Sequence, residues 1–99
     1  MHIEGKGSNQ VMITGNVKSV DDSIKIKETI NGVLARGNRS VDLHLVDSLS
    51  LTSTTIGYLM KLVNQDQVKL SVTVGDSRLY TLLEDLALLQ KFNVRLLEP

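Results

Sequence analysis

The sequence predicts an α/β fold: a mostly parallel sheet of four to five strands with its helices on one face, wound as a short β-α superhelix. Three observations lead there. Strand-like and helix-like segments alternate regularly along the chain. Parallel neighbours need a crossover, which a helix supplies, and such crossovers are right-handed. The central strand candidates, 41–46 and 68–74, alternate apolar and polar residues. Parallel strands covered on both faces read as unbroken apolar runs, so one face of this sheet is expected to stay open.

The elements follow in order. A weak strand around 2–4 precedes a turn built from Gly5, Gly7, Ser8 and Asn9, which leads into a strand at 11–14 closed by Gly15. Ser19 is suited to cap a helix whose first turn carries Asp21 and Asp22, next to the positive end of the dipole. Ile26, Ile30, Val33 and Leu34 follow at helical spacing, and Gly37 ends that helix. The strand at 41–46 places Asp42 and His44 on its polar side. Ile56, Leu59, Met60 and Val63 define one face of a second helix over 56–66. The strand at 68–74 turns Lys69, Ser71 and Thr73 outward. After Gly75-Asp76-Ser77 comes a third helix with Leu79, Leu82, Leu83 and Leu86 as its core stripe. Leu88 and Leu89 run beyond that stripe, and one of them is expected to be exposed to a partner. A short strand at 94–97 follows. No Pro/Gly/Ser-rich linker interrupts this order, and the one proline is Pro99, so 1–99 reads as a single domain.

Composition narrows the function classes. Eleven Lys and Arg balance eleven Asp and Glu, for a net charge of zero, which gives no long-range pull toward nucleic acid or anionic lipid. With only Tyr58, Tyr80 and Phe92 as aromatics, a base-stacking platform is not expected. There is no Cys, hence no disulfide frame, thiolate metal site or Cys nucleophile. His2 and His44 stand apart without patterned carboxylates, so neither a metal nor another cofactor is expected. The beginning of the chain, Met1-His2-Ile3-Glu4-Gly5-Lys6, has no apolar signal core, and a soluble, cytoplasmic protein is expected. Gly5-Lys6-Gly7-Ser8 lacks the spacing of a phosphate loop and reads as a turn. His44 and Ser53, with Asp42 or Asp47, contain the side chains of a hydrolase triad, but no nucleophile-elbow pattern surrounds Ser53, and the chain is not expected to be an enzyme.

The most informative stretch is Leu51-Thr52-Ser53-Thr54-Thr55-Ile56-Gly57-Tyr58-Leu59, where four consecutive hydroxyl residues join a strand to an amphipathic helix. Ser53 or Thr52 would cap that helix, and capping alone is one reading of the cluster. Gly57 costs its helix about 1 kcal/mol relative to Ala, which the close approach of another backbone, from the sheet or from a partner, would explain. Tyr58 is expected to be half-buried, with the option of lying on a contact surface.

The order of elements and the run Val41-Asp42-Leu43-His44-Leu45-Val46-Asp47-Ser48-Leu49-Ser50-Leu51-Thr52-Ser53-Thr54-Thr55-Ile56-Gly57-Tyr58-Leu59-Met60 resemble the STAS domain of bacterial anti-sigma-factor antagonists. That family carries a strand of the type hydrophobic-x-Leu-x-Leu, a loop, and Asp-Ser-Ser-Gly-Leu-Gly opening a helix. Aligned without gaps, Thr52 falls at the Asp, Ser53 and Thr54 at the two Ser, Thr55 at the first Gly and Gly57 at the last. Thr14-Gly15 and the segment from Val74 to Leu83 are similar to further family features. The resemblance implies a regulatory protein-binding module in signal transduction and transcription regulation. It further implies a phospho-acceptor at Ser53, with Thr54 and Thr52 as alternatives, and a partner surface over Thr52, Ser53, Thr54, Thr55, Gly57 and Tyr58. The implied partners are a serine kinase that doubles as an anti-sigma factor, which the unmodified form binds, and a phosphatase that resets the switch. The expected state is a monomer or weak dimer. Thr52 and Thr55 depart from the family pattern, which opens two other readings. One is a constitutive scaffold or assembly subunit that is never phosphorylated; the other is a small-molecule or nucleotide sensor using the polar sheet face or the helix N-terminus.

Overall fold

The computed structural model describes residues 1–97. It is an α/β fold with the order β1 (His2–Lys6), β2 (Gln10–Thr14), α1 (Val20–Ala35), β3 (Ser40–Leu45), α2 (Ser53–Asn64), β4 (Lys69–Val74), α3 (Ser77–Asp85) and β5 (Val94–Leu96). The five strands lie side by side in sequence order; β1 and β2 are antiparallel and every later pair is parallel. The expected mostly parallel sheet is therefore present, with an antiparallel strand at one edge.

Period-two alternation decides which face is covered. Val11 and Ile13 of β2, Val41, Leu43 and Leu45 of β3, and Leu70, Val72 and Val74 of β4 are all buried. They share one hydrophobic core with Ile26, Ile30 and Val33 of α1, Leu59 and Leu62 of α2, and Leu79 and Leu83 of α3. The alternate residues Gln10, Met12, Asp42, His44, Ser71 and Thr73 point the other way and stay half-buried. The helices thus line one side, as the alternation predicts.

Several boundaries differ from the sequence reading, each for a local reason. β1 extends through Gly5 and Lys6, because Gly5 pairs with Val11 and Lys6 with Gln10; the turn itself is 7–9, where Gly7 has φ +63°. α2 begins at Ser53, not Ile56, because the hydroxyl cluster enters the first turn, and it ends at Asn64, two residues before the expected Asp66. Leu86 is not core. α3 ends at Asp85, Ala87 takes φ +59°, and Leu86 is left 47% exposed at the C-cap. The turn instead swings Leu88 into the core, with Phe92 fully buried, and of the two leucines only Leu89, half-buried, keeps surface open to solvent.

Gly75 marks the tightest approach in the fold. A Cβ there would overlap the Val46 carbonyl, while the Gly75 N–H donates to the Leu45 carbonyl at 2.9 Å. Only glycine lets the chain leave β4 this close to the end of β3.

Candidate functional site

The hydroxyl cluster lies at the C-terminal end of β3, where the chain enters α2. Thr52 has extended dihedrals (φ −75°, ψ 153°) and is the N-cap; its Oγ1 accepts from the Thr55 N–H at 3.1 Å. The first helical bond follows, from the Ile56 N–H to the Thr52 carbonyl at 3.0 Å. This settles which of the two candidate residues caps the helix. Ser53, the first helical residue, leaves its hydroxyl free of the cap.

The cap is tied to the neighbouring helix. The Ser23 hydroxyl of α1 lies 2.8 Å from Thr52 Oγ1 and 3.0 Å from Thr55 Oγ1, and the two threonine hydroxyls are 2.9 Å apart. Three hydroxyls supply three protons and can close a ring in which each donates once and accepts once, with the Ser19 carbonyl at 3.3 Å as a second acceptor for the Ser23 proton. Thr55 is 1% exposed and Ser23 6%, so this ring satisfies buried polar groups that would otherwise cost free energy. Sequence reading missed Ser23. Its signal was present: Ser23 sits one turn before Ile26 on the line that continues to Ile30 and Val33, a polar residue on an apolar stripe.

The loops around the cluster are laced together. The Gly15 N–H donates to Asp47 Oδ1 at 2.7 Å, Ser48 Oγ donates to the Gly15 carbonyl at 2.6 Å, and the Leu49 N–H donates to Asn16 Oδ1 at 2.9 Å. The segment before the cap is thereby fixed against the segment before α1.

Burial sorts the candidate residues. Thr55 is buried and Thr52 half-buried, both with engaged hydroxyls, whereas Ser53 and Thr54 are exposed. Neither cap nor first turn of α2 carries a carboxylate, while α1 has Asp21 and Asp22 in its first turn and α3 is capped by Asp76. Free N–H groups and the dipole at a helix N-terminus favour an anion, and here no acid of the helix opposes one.

Gly57 is exposed, and a Cβ built on it meets no atom within 4 Å. The sheet does not approach it, so close packing within the described residues is not the reason for this glycine. Tyr58 is half-buried as expected and bridges the two helices: its hydroxyl donates to Asn31 Oδ1 at 2.8 Å, and Lys27 Nζ stands 5.9 Å from its ring centroid. Burial, helped by the charge of Asp66, pushes the Tyr58 phenol up to about 12, so it remains a donor at neutral pH. On the same stripe of α1 as Lys27 and Asn31, one and two turns toward its start, Ile24 and Val20 are 46% and 68% exposed. The corner thus combines open hydroxyls, an uncovered helix backbone at Gly57 and exposed aliphatic side chains.

The hydrolase arrangement does not form. Asp42 and His44 project from the open face of β3, whereas Ser53 starts a helix packed on the other face. His44 Nε2 is buried with no hydrogen-bond partner among the described residues. No helix among the described residues is long and apolar enough to cross a membrane.

No family model, curated protein or solved structure matches the chain.

Proposed function

We propose that this chain is a non-enzymatic regulatory module of STAS type, which binds a protein partner through the N-terminal half of α2 and is switched by phosphorylation of Ser53. The observation that carries the reading is the division of labour at the cap: Thr52 does the structural work and leaves the Ser53 hydroxyl exposed at the start of a twelve-residue helix. A phosphate there adds a charge of about −1.5 to −2 and three acceptor oxygens, which the helix N-terminus accommodates. Modification would then repel or block a docked partner without unfolding the domain. The exposed Thr54 is the neighbouring alternative. By resemblance the partner is a serine kinase acting as an anti-sigma factor, with a phosphatase to reset the switch, in a cytoplasmic setting.

Binding tests this reading. A pull-down with the unmodified chain as bait should retain a kinase-like partner, Ser53→Ala should retain it constitutively, and Ser53→Asp should lose it while keeping a native circular dichroism spectrum. Equal retention by all three would remove Ser53 from the switch.

A second reading is a constitutive scaffold of the same fold. It is supported by the two positions that depart from the family pattern, Thr52 and Thr55. Both hydroxyls close the ring with Ser23, so these replacements serve the α1–α2 junction.

A further inference from the structure

The sheet face opposite the helices carries a pattern that the Ser53 corner does not use. Four parallel strands with a bare face are uncommon, because parallel sheets are normally covered on both sides. Two rows cross this face in register. Glu4 pairs with Met12, Met12 with His44, His44 with Thr73, and Thr73 with the exposed Arg95; two residues along the strands, Lys6 pairs with Gln10, Gln10 with Asp42, and Asp42 with Ser71. Between them runs the line Gly5, Val11, Leu43 and Val72, whose side chains, where present, point into the core.

These two rows complement each other. Rotation by a half-turn about an axis lying over the middle line brings each row of one molecule onto the other row of a second. Glu4 and Lys6, already 3.9 Å apart within one chain, then also meet Lys6 and Glu4 of the other, His44 meets Asp42, and Thr73 meets Ser71, each contact occurring twice. Such self-complementarity is the requirement of an isologous interface. Sheets stacked face to face with strands nearly antiparallel fit the aligned packing class. His44 lies half-buried at the centre of the face, so a second copy brings the Asp42 carboxylate over the part of its ring that solvent reaches.

We infer that this open face binds the same face of a second copy of the chain, about a two-fold axis running across the strands. The facing rows are mostly polar, which suits a weak, reversible dimer rather than an obligate one. It leaves both Ser53 corners outward, so one assembly presents two switch surfaces.

Sedimentation equilibrium of the full chain over a wide concentration range tests this, with a charge-swap series. The wild type should show a monomer–dimer equilibrium that weakens as salt is added. Lys6→Glu sets Glu4 against a new acid twice and should weaken the dimer about tenfold or more. The double variant E4K/K6E restores opposite charges across the interface and should recover wild-type association. Asp42→Lys should dissociate the dimer independently of that pair. A wild type monomeric at every concentration overturns the inference. So does a dimer indifferent to Lys6→Glu and Asp42→Lys, or a double variant as weak as Lys6→Glu.

Discussion

Ser23 of α1 and Thr52 at the cap of α2 meet hydroxyl to hydroxyl at 2.8 Å, and Thr55 closes the ring against both. The cap of the candidate switch helix is therefore part of the α1–α2 contact. Removing Ser23 Oγ takes one partner from each threonine in a buried place. Ser23→Ala should cost about 1–3 kcal/mol of stability, and Thr52→Ala about 1 kcal/mol for the cap alone. Denaturant midpoints of the two single variants and the double variant should show clear non-additivity, because all three hydroxyls share one network. Additive losses would mean that the ring is not a unit.

Gly57 separates stability from recognition. Its missing Cβ faces open space, so Gly57→Ala should stabilise the domain by up to about 1 kcal/mol through helix propensity. If the exposed backbone at this point is where a partner approaches, the same variant should bind that partner more weakly. Thermal unfolding and binding measured on one preparation check both halves; unchanged binding would move the partner surface away from Gly57.

Gly75 behaves oppositely. A Cβ there meets the Val46 carbonyl, a backbone group that cannot swing aside. Gly75→Ala should destabilise by about 1–3 kcal/mol, the range for forced overpacking. Urea denaturation would reveal it, and an undiminished midpoint would show that the turn between β4 and α3 relaxes freely.

Much of this was legible in the sequence. Period-two alternation in β3 and β4 specified the sheet and its open face because the side-chain period of a strand admits only two faces. The capping pattern at Ser19 was equally readable: Ser19 Oγ accepts from the Asp22 N–H at 3.1 Å, and the Asp22 carboxylate accepts from the Lys18 and Ser19 N–H groups. What escaped was set by tertiary contact. Leu86 fits the leucine spacing of α3, yet the left-handed turn at Ala87 ends the stripe and puts Leu88 and Phe92 in the core. At α2, three hydroxyl residues inside the first turn look like loop until Thr52 is recognised as the cap. Ser23 stood out only as a polar residue on the apolar stripe of α1; its partners lie 29 and 32 residues away, and no local pattern names them.

The start of α3 offers a pH test. Arg78 donates to both oxygens of Asp76, at 3.0 and 2.8 Å, and its N–H donates to the Asp76 Oδ1 at 2.8 Å. The Arg78 side-chain bonds, then its backbone bond, hold the Asp76 carboxyl down to about 2. A carboxyl depressed in the folded state stabilises it above the ordinary carboxylate pKa, and that contribution fades as pH falls through the folded value. Carbon-detected NMR titration should therefore place Asp76 near pH 2, and Arg78→Ala should raise its midpoint. An Asp76 that titrates in the ordinary carboxylate range in the unsubstituted protein would contradict this cap geometry.

The central claim is that Ser53, freed from capping by Thr52, carries a regulatory phosphate. Intact-mass analysis of the protein isolated from its own cells, with fragmentation to map the modified residue, tests it most directly. The account predicts a species heavier by one phosphate, with the group on Ser53. Unmodified protein across all growth conditions would contradict it and leave the cluster as a helix cap on a constitutive scaffold.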